Sequence, residues 1–387
     1  MKLIIFKNIL FVILALAFSS CIKDKGINEK LPILKTKNNS TIAYAEGFTI
    51  TENGNYTILE IKSPWPESDQ TFTYVLISKE EAAKTTFIVD QYNGIILTPI
   101  QKAVVTSTTH IPALELLNVE NTLIGFPGTD YISSEKTRAR IDNKLVRELG
   151  KNEDINTEVL LDINPNIVVA FGIDGKSKSL ETIKNANIPV IYNGDWVEKS
   201  PLAKAEWIKF FGALYNKEKK ADSIFSQIEK NYLEAKKIAT KVVEQPTVLS
   251  GAMHKDIWYL PKGTSTEAQL LKDANVNYLW SDTSGSGSLA LNFETVYEKA
   301  KTAHLWLSPS HYKSFEALEK ANQHYTKFDA FKNKNIYTFS NITGETGGVL
   351  YYELGTARPD LVLKDIIKIC HPELLTSYTP YFFKPLE

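Results

Sequence analysis

The sequence predicts an α/β protein with two lobes, each built on a mainly parallel sheet flanked by helices. One long α-helix joins the lobes, and a β-rich N-terminal segment precedes them. Residues 217–242 carry apolar side chains at three- and four-residue spacing without Gly or Pro, which is typical of an amphipathic helix. The segment from 217 to 241 would form a helix about 37 Å long. Short β-rich runs alternate with helical runs on both sides of it. The 387 residues are enough for two separate cores.

The N-terminus follows the plan of a secretory signal. Lysines precede an apolar run over residues 9–18, and Ser19 and Ser20 precede Cys21. The run is too short to span a bilayer. Small residues ending at a Cys are similar to the lipobox of bacterial lipoproteins, which implies an acylated Cys21 and a membrane-anchored chain facing the periplasm. Surface exposure stays open, and a plain signal peptide with an incidental Cys is the alternative.

Composition changes along the chain predict the domain boundaries. Residues after Cys21 are polar and typical of a tether. Asn53-Gly54 between two short β-rich runs indicates a hairpin in the segment that we call the preface. The predicted division is a signal peptide over 1–21, a tether over 22–40, the preface over 41–98, an N-lobe over 99–216, the connecting helix over 217–242 and a C-lobe over 243–387.

Apolar runs within each lobe predict the strands of the two sheets. A helix from Leu202 to Leu214 is expected to close the N-lobe and lead into the connecting helix. The predicted strands lie at 103–106, 122–125, 166–170 and 188–192 in the N-lobe, and at 247–250, 304–307 and 335–339 in the C-lobe.

Loops after these strands contain the candidate ligand-binding residues, because ligands of open parallel sheets bind beyond the carboxyl ends of the strands. Aromatic, amide and hydroxyl groups dominate there, with few charges, which suits a large and partly apolar ligand. Some of the aromatic residues could be core residues instead, and for Trp196 and Trp258 both interpretations stay open. The candidates are Thr109, His110, Tyr131, Phe171, Trp196, His254, Trp258, Ser284, His311, Tyr312 and Thr343.

No catalytic, metal or nucleic-acid site is predicted. The six histidines lack the spacing of a helical metal site, although His110, His254 or His311 could contact a metal that an organic carrier already holds. The common hydrolase, phosphate-loop and zinc-protease motifs are absent from the sequence. With 44 basic and 45 acidic residues, the charge is nearly balanced, which gives no reason to expect nucleic acid.

Each lobe contains a helix start with an Asn followed two residues later by a Glu. Asn156 precedes Glu158 in the N-lobe, and Asn292 precedes Glu294 in the C-lobe. Asn is a good N-cap, and a carboxylate in the first turn is favoured by the helix dipole. The glutamates either support the helix starts only or present paired carboxylates to a symmetric partner with basic pockets.

Several motifs occur in the order found in a known family. VVTSTTH at 104–110 with ALELL at 113–117, the NTE to INPNIVV block over 156–169, and RPDLVLKD with HPEL over 358–374 resemble the periplasmic binding proteins for iron chelates and cobalamin. The similarity spans about residues 102–375. The preface lies outside the pattern.

This resemblance implies a substrate-binding lipoprotein of an ABC importer rather than an enzyme. Its ligand would be a metal chelate, namely a ferric siderophore, cobalamin or haem, and it would need no intrinsic cofactor. Glu158 and Glu294 stand where the family's docking glutamates meet arginines of the ABC permease. Acylated Cys21 would hold a monomeric receptor on the lipid bilayer. An exported enzyme acting on a small molecule, and a surface scavenger serving an outer-membrane transporter, remain alternatives.

Overall fold

A computed structural model describes residues 42–88 and 91–387. The predicted signal peptide over 1–21, the tether over 22–40 and the lipidation site Cys21 lie outside the described residues. Within the described ranges, no helix combines the length and apolar character needed to cross a membrane.

In the part of the chain that the structure describes, the strands form two large sheets, two smaller sheets and one short ribbon. In chain order they are β1 (Phe48–Asn53), β2 (Tyr56–Lys62), β3 (Thr71–Ser78), β4 (Gly94–Thr98), β5 (Ala103–Val105), β6 (Leu123–Phe126), β7 (Arg147–Glu148), β8 (Gly150–Lys151), β9 (Asp154–Ile155), β10 (Ile167–Phe171), β11 (Val190–Asn193), β12 (Thr247–Ser250), β13 (Ala252–His254), β14 (Ile257–Pro261), β15 (Asn277–Tyr278), β16 (Ser288–Leu291), β17 (Leu305–Leu307), β18 (Ile336–Thr338) and β19 (Lys384–Pro385).

Helices separate most of these strands. They are α1 (Lys79–Ala82), α2 (Ile111–Leu116), α3 (Glu135–Asp142), α4 (Thr157–Ile163), α5 (Lys178–Asn185), α6 (Pro201–Glu206), α7 (Ile208–Leu214), α8 (Glu218–Ala239), α9 (Thr266–Asp273), α10 (Phe293–Ala300), α11 (Phe315–Ala321), α12 (Asp329–Lys332), α13 (Leu350–Leu354) and α14 (Pro359–Cys370).

The N-lobe sheet is parallel throughout, in the order β11-β10-β5-β6-β7. Its central strands are short and apolar. All three residues of β5 are buried, as are the first four of β10, which is the pattern of parallel strands covered on both faces. The carboxyl ends of these strands therefore lie along one edge of the sheet, where the loops can share a ligand.

The C-lobe repeats this plan with one antiparallel edge strand, in the order β15-β12-β17-β18-β19. A second, antiparallel sheet of β13, β14 and β16 lies in the same lobe. Side chains along β14 alternate between exposed and buried from Ile257 to Leu260, as expected for a strand with one face on the core. The sequence analysis missed this sheet.

The connecting helix α8 runs unbroken over 22 residues, a length of about 33 Å. Near its start, Ala221, Phe225 and Ile228 belong to the N-lobe core. Farther along, Tyr232 and Ala239 belong to the C-lobe core. Because one rigid element contributes to both cores, movement of either lobe must be accommodated around this helix.

The preface is part of the N-lobe core rather than a separate body. Its four-stranded sheet has the order β1-β2-β3-β4, and the Phe48 ring packs on Trp207 with the ring centroids 4.6 Å apart. The buried carboxylate of Glu206 accepts hydrogen bonds from the backbone N–H groups of Ala43, Tyr44 and Ala45. This segment of the preface therefore lies beside the middle of the connecting helix, because the Tyr44 hydroxyl also donates to Glu229 of α8.

The predicted helix over Leu202 to Leu214 is wrong in one respect. The structure divides it into α6 and α7 at Trp207. There the indole Nε1 donates to the carboxylate of Glu198, at 3.0 Å. Both short helices are almost wholly buried, so apolar periodicity alone gave no sign of the interruption.

Candidate functional site

Two neighbouring cavities, which share the lining residue Tyr352, lie at the carboxyl ends of the strands of the two lobes, and we call this region the cleft. The first, which we call the N-side cavity, has a volume of about 620 Å³ and is lined by the loops that follow β5, β6 and β10. Thr108 follows β5, Phe126 and Phe171 are the last residues of β6 and β10, and Val349 and Tyr352 come from the C-lobe. The carboxyl edge of the N-lobe sheet therefore faces the C-lobe, as the sequence predicts.

The second cavity, which we call the C-side cavity, has a volume of about 390 Å³ and lies over the C-lobe sheet. Ser250 and Leu307 line it at the ends of β12 and β17. Aromatic side chains also line it, among them Tyr259, Phe339 and Tyr352. A ligand here would contact both hydroxyl groups and aromatic faces.

Helix α13 forms the partition between the two cavities. Its residue Tyr352 lines both of them and is 59% exposed. Tyr351, beside it, stacks on Phe339 with the ring centroids 4.3 Å apart. Sequence reasoning missed these tyrosines, although an aromatic pair directly after the Gly-rich loop at 344–348 could have drawn attention to them.

Three of the predicted ligand-binding residues line these cavities. Tyr131 and Phe171 lie in the N-side cavity, and His254 lies in the C-side cavity. Tyr131 is the most open of the aromatic residues there, at 72% exposed. Trp196 packs behind Phe171, with the ring centroids 5.2 Å apart, so it supports the wall.

His110 lies in the interior rather than in the cleft. The 3-10 turn Thr108–His110 directs its ring inward, where it is fully buried and packs against Phe211 at a centroid distance of 5.6 Å. Burial lowers the pKa of His110 to about 3, so the ring is neutral. His110 is therefore not a candidate ligand contact. Thr109 lines a separate small cavity beside buried Asp195, away from the cleft cavities.

Trp258 is a core residue of the C-lobe. It occupies a buried position of β14, is 0% exposed, and stacks on Trp306 at a centroid distance of 5.4 Å. Its indole Nε1 donates to the carbonyl of Ser250 at 3.0 Å. The expectation that Trp258 contacts ligand is therefore corrected, because β14 turns this side chain away from solvent.

The remaining candidates are dispersed. Ser284 is exposed in the loop between β15 and β16. His311 is exposed and stacks on Tyr312, at 4.6 Å between centroids. Thr343 lines a third cavity, described below. The structure does not bring these four residues together with Tyr131 and Phe171 at either cleft cavity.

Charges at the cleft are few and mixed. Lys151 and Glu153 line the N-side cavity, and Glu267 lines the C-side cavity. Burial raises the pKa of Tyr352, and the nearby negative charge of Glu267 raises it further. The phenol of Tyr352 is therefore protonated at neutral pH and can donate a hydrogen bond. Such a lining favours a ligand bound by stacking and hydrogen bonds rather than by ion pairing.

Within residues 42–88 and 91–387, no group of three or more His, Cys, Asp or Glu side chains is arranged to hold a metal ion. Cys370 lies in the described part of the chain as a free thiol.

The two predicted helix starts have the expected local geometry. Asn156 accepts a hydrogen bond from the N–H of Val159 at 3.1 Å, and Asn292 accepts one from Thr295 at 2.8 Å. Glu158 and Glu294 fall in the first turns of α4 and α10, and both are exposed. The N-cap prediction is confirmed, and each of these two helix starts presents a solvent-facing carboxylate.

Comparison with known sequences identifies a family and a relative that matches over nearly the whole chain. Residues 104–343 match the profile of the family described as periplasmic binding protein. An uncharacterised lipoprotein of Methanocaldococcus jannaschii is 26% identical over 410 residues, which covers 99% of this chain and 96% of the relative. This relative, unlike the family profile, therefore spans the preface as well.

Two solved structures are similar in fold. A possible iron-binding, periplasmic solute-binding protein from Staphylococcus epidermidis has a TM-score of 0.55 at 16% identity, over 71% of this chain and 100% of its own. A periplasmic haem-binding protein from Pseudomonas aeruginosa has a TM-score of 0.55 at 15% identity, over 74% of this chain and 98% of its own. These likenesses confirm the predicted two-lobe α/β fold.

Proposed function

Because the chain belongs to the periplasmic binding protein family, as the resemblance of its motifs predicted, we propose that it captures a metal chelate in the cleft and delivers it to an ABC permease. A ferric siderophore is the first candidate, and haem and cobalamin are the alternatives. The observation that carries this proposal is the pair of neighbouring cavities at the carboxyl ends of two mainly parallel sheets, with one helix that contributes to both cores.

Binding without chemistry is consistent with the lining of the cleft. Tyr131, Phe171 and Tyr352 supply aromatic surface around the N-side cavity, and Tyr259 supplies it on the C-lobe side. Planar or partly apolar chelates gain from such contacts. Two proteins of similar fold, one described as possibly iron-binding and one as haem-binding, support the same ligand class. The continuous helix α8 limits the ordering cost of capture, because preorganised sites lose less freedom on binding.

An absorbance assay tests the proposal. The purified exported chain is incubated separately with ferric siderophores, haem and cobalamin, then desalted. Visible bands that remain with the protein are the expected result, and loss of those bands in a Tyr131→Ala, Tyr352→Ala double variant assigns the ligand to the cleft. Ile88→Ala, which removes an exposed apolar side chain from the preface, is the control. Retention of none of the three ligand types, or chemical turnover of one of them, would contradict the proposal.

Docking on the permease is proposed through Glu158 and Glu294. Both carboxylates are exposed at helix starts on separate lobes, so a partner with two basic pockets could bind both of them at once. The double variant Glu158→Ala, Glu294→Ala should abolish uptake in cells while the purified protein keeps its chelate affinity. Asp162→Ala with Glu298→Ala removes exposed acids from the same two helices and should leave uptake intact. Loss of affinity in the first pair would refute the docking role.

We also propose that the chain is anchored to the membrane through acylated Cys21. The small residues before Cys21 in the sequence and the lipoprotein name of the archaeal relative support this anchor. A receptor held at the membrane surface needs only short-range diffusion to meet its permease.

A further inference from the structure

The buried carboxylate of Glu353 joins the two lobes by hydrogen bonds. Glu353, on α13 of the C-lobe, accepts hydrogen bonds from the backbone N–H groups of Ser133 at 2.6 Å and Ser134 at 3.0 Å. Ser134 is the N-cap of the N-lobe helix α3. Only 2% of Glu353 is exposed. The N–H group of an N-cap residue has no partner within its own helix, so a C-lobe side chain completes the start of an N-lobe helix.

Close backbone contacts surround this bond. A Cβ atom on Gly344 would lie 2.6 Å from the Cα of Ser133, and one on Gly348 would lie 2.2 Å from the carbonyl oxygen of Tyr131. The Thr346 hydroxyl donates to the carbonyl of Asp130 at 2.7 Å. The loop before α13 therefore rests directly on the N-lobe chain, with no room for larger side chains at the two glycines.

We propose that Glu353 is a latch that holds the lobes together and keeps α13 across the cleft, so that a ligand larger than either cavity enters only after these contacts break. Tyr352, the neighbour of Glu353 on α13, lines both cavities. Release of the helix would join the two spaces into one. The consequence for capture depends on the proposed function, whereas the contact between the lobes does not.

Glu353 faces a third cavity of about 850 Å³ that contains several ionisable groups. Glu115 is part of the same hydrogen-bond network, because its Oε1 accepts from the hydroxyls of Ser134 and Thr137, each at 2.5 Å. Burial raises the pKa of Glu353 to about 7, the charge of Glu115 raises it too, and the two N–H donors oppose the shift. The other ionisable groups at this cavity are Glu135, Lys136, Arg138, Asp142, Glu345 and Tyr381.

The direction of the pH effect follows from proton linkage. When the lobes separate, the Glu353 carboxyl reaches water and returns to its ordinary pKa of 4.5. The latched state therefore binds the proton more tightly than the open state does. Raising the pH from 4.5 to 7 favours opening, by up to tenfold per pH unit and about 300-fold in total. The contacts of Glu353 with the N-lobe are therefore expected to be stable in acid and weak at neutral pH and above.

Hydrogen–deuterium exchange of the full exported chain without ligand tests this directly. Exchange rates are measured at pH 5 and pH 8 and corrected for the intrinsic pH dependence of amide exchange. The peptide over 130–137, which contains the two donor amides, should lose at least tenfold in protection at pH 8. The peptide over 156–163 is the internal reference, since its helix start is capped by Asn156 of the same lobe. Equal protection of 130–137 at both pH values would overturn the latch.

Substitutions distinguish ionisation of the Glu353 carboxyl group from a general effect of pH on the fold. Glu353→Gln cannot ionise, so protection of 130–137 should become independent of pH. Glu115→Gln removes the neighbouring charge and should move the midpoint of the pH transition downward. Glu316→Gln, at an exposed first-turn glutamate of α11, is the matched control and should behave as the unmodified protein. A full pH response in Glu353→Gln would refute the proposal. Because the experiment contains no chelate, its outcome is distinct from that of the spectral assay.

Discussion

Replacing Glu206 with Gln removes a negative charge from the interior where the preface joins the N-lobe. The carboxylate is fully buried and accepts from the N–H groups of Ala43, Tyr44 and Ala45 at 2.7–3.1 Å. The Lys209 ammonium also donates to it at 2.9 Å and is itself only 8% exposed. Removing one member of a buried ion pair typically costs about 3–5 kcal/mol. We expect Glu206→Gln to lower the free energy of unfolding by that amount.

Urea unfolding followed by tryptophan fluorescence measures the change. Glu46→Gln is the matched control, because Glu46 pairs with Lys199 at 2.8 Å while both side chains are largely exposed, and such pairs contribute about 0–1 kcal/mol. Hydrogen exchange of residues 43–47 should accelerate in Glu206→Gln only. Equal destabilisation by the two substitutions, or unchanged exchange at 43–47, would refute the role assigned to Glu206.

Three further predictions concern other positions. Burial lowers the pKa of His110 from 6.5 to about 3, so the unfolded chain binds the proton more readily than the folded chain does. The free energy of unfolding should therefore decrease as the pH is lowered below 6.5, by up to about 1.4 kcal/mol per pH unit. His110→Leu should reduce this loss in urea unfolding at pH 5 against pH 7. Trp258→Ala should cost about 3–5 kcal/mol yet leave the chelate affinity of the remaining folded protein unchanged. Cys21→Ser should move the protein from the membrane to the soluble fraction on centrifugation, and continued sedimentation would refute acylation.

Periodic apolar patterns predicted much of the fold. The connecting helix was predictable because nine apolar positions recur at helical spacing over residues 217–242, a segment without Gly or Pro. Parallel strands such as β5 and β10 were visible as short apolar runs, since both of their faces are buried. The helix starts at Asn156 and Asn292 were visible because N-capping is a local interaction.

Misassignments arose where a residue's environment depends on its orientation. His110 follows a strand, as cleft residues do, but the 3-10 turn directs the ring onto Phe211. Trp258 follows the polar residues 254–256, and its alternation with exposed Ile257 and Tyr259 was the available sign of a half-buried strand. That alternation covers only a few residues and was interpreted as a loop.

The latch was not predictable from local sequence. Glu353 and Ser133 are 220 positions apart, and neither lies in a motif that marks contact between the lobes. The position of α13 between the cavities likewise depends on how the C-lobe loop rests on the N-lobe. Tyr352 therefore enters the candidate site only through the three-dimensional structure, whereas Tyr131 and Phe171 follow strands that the sequence reveals.

Ligand-dependent hydrogen exchange is the most direct test of a binding cleft between the lobes. The chain is compared with and without the chelate that it retains after desalting. We predict added protection at 126–131 from the N-lobe and at 349–352 from the C-lobe, because both segments line the N-side cavity. Protection confined to one lobe, or to the exposed loop at 281–287, would contradict capture between the lobes.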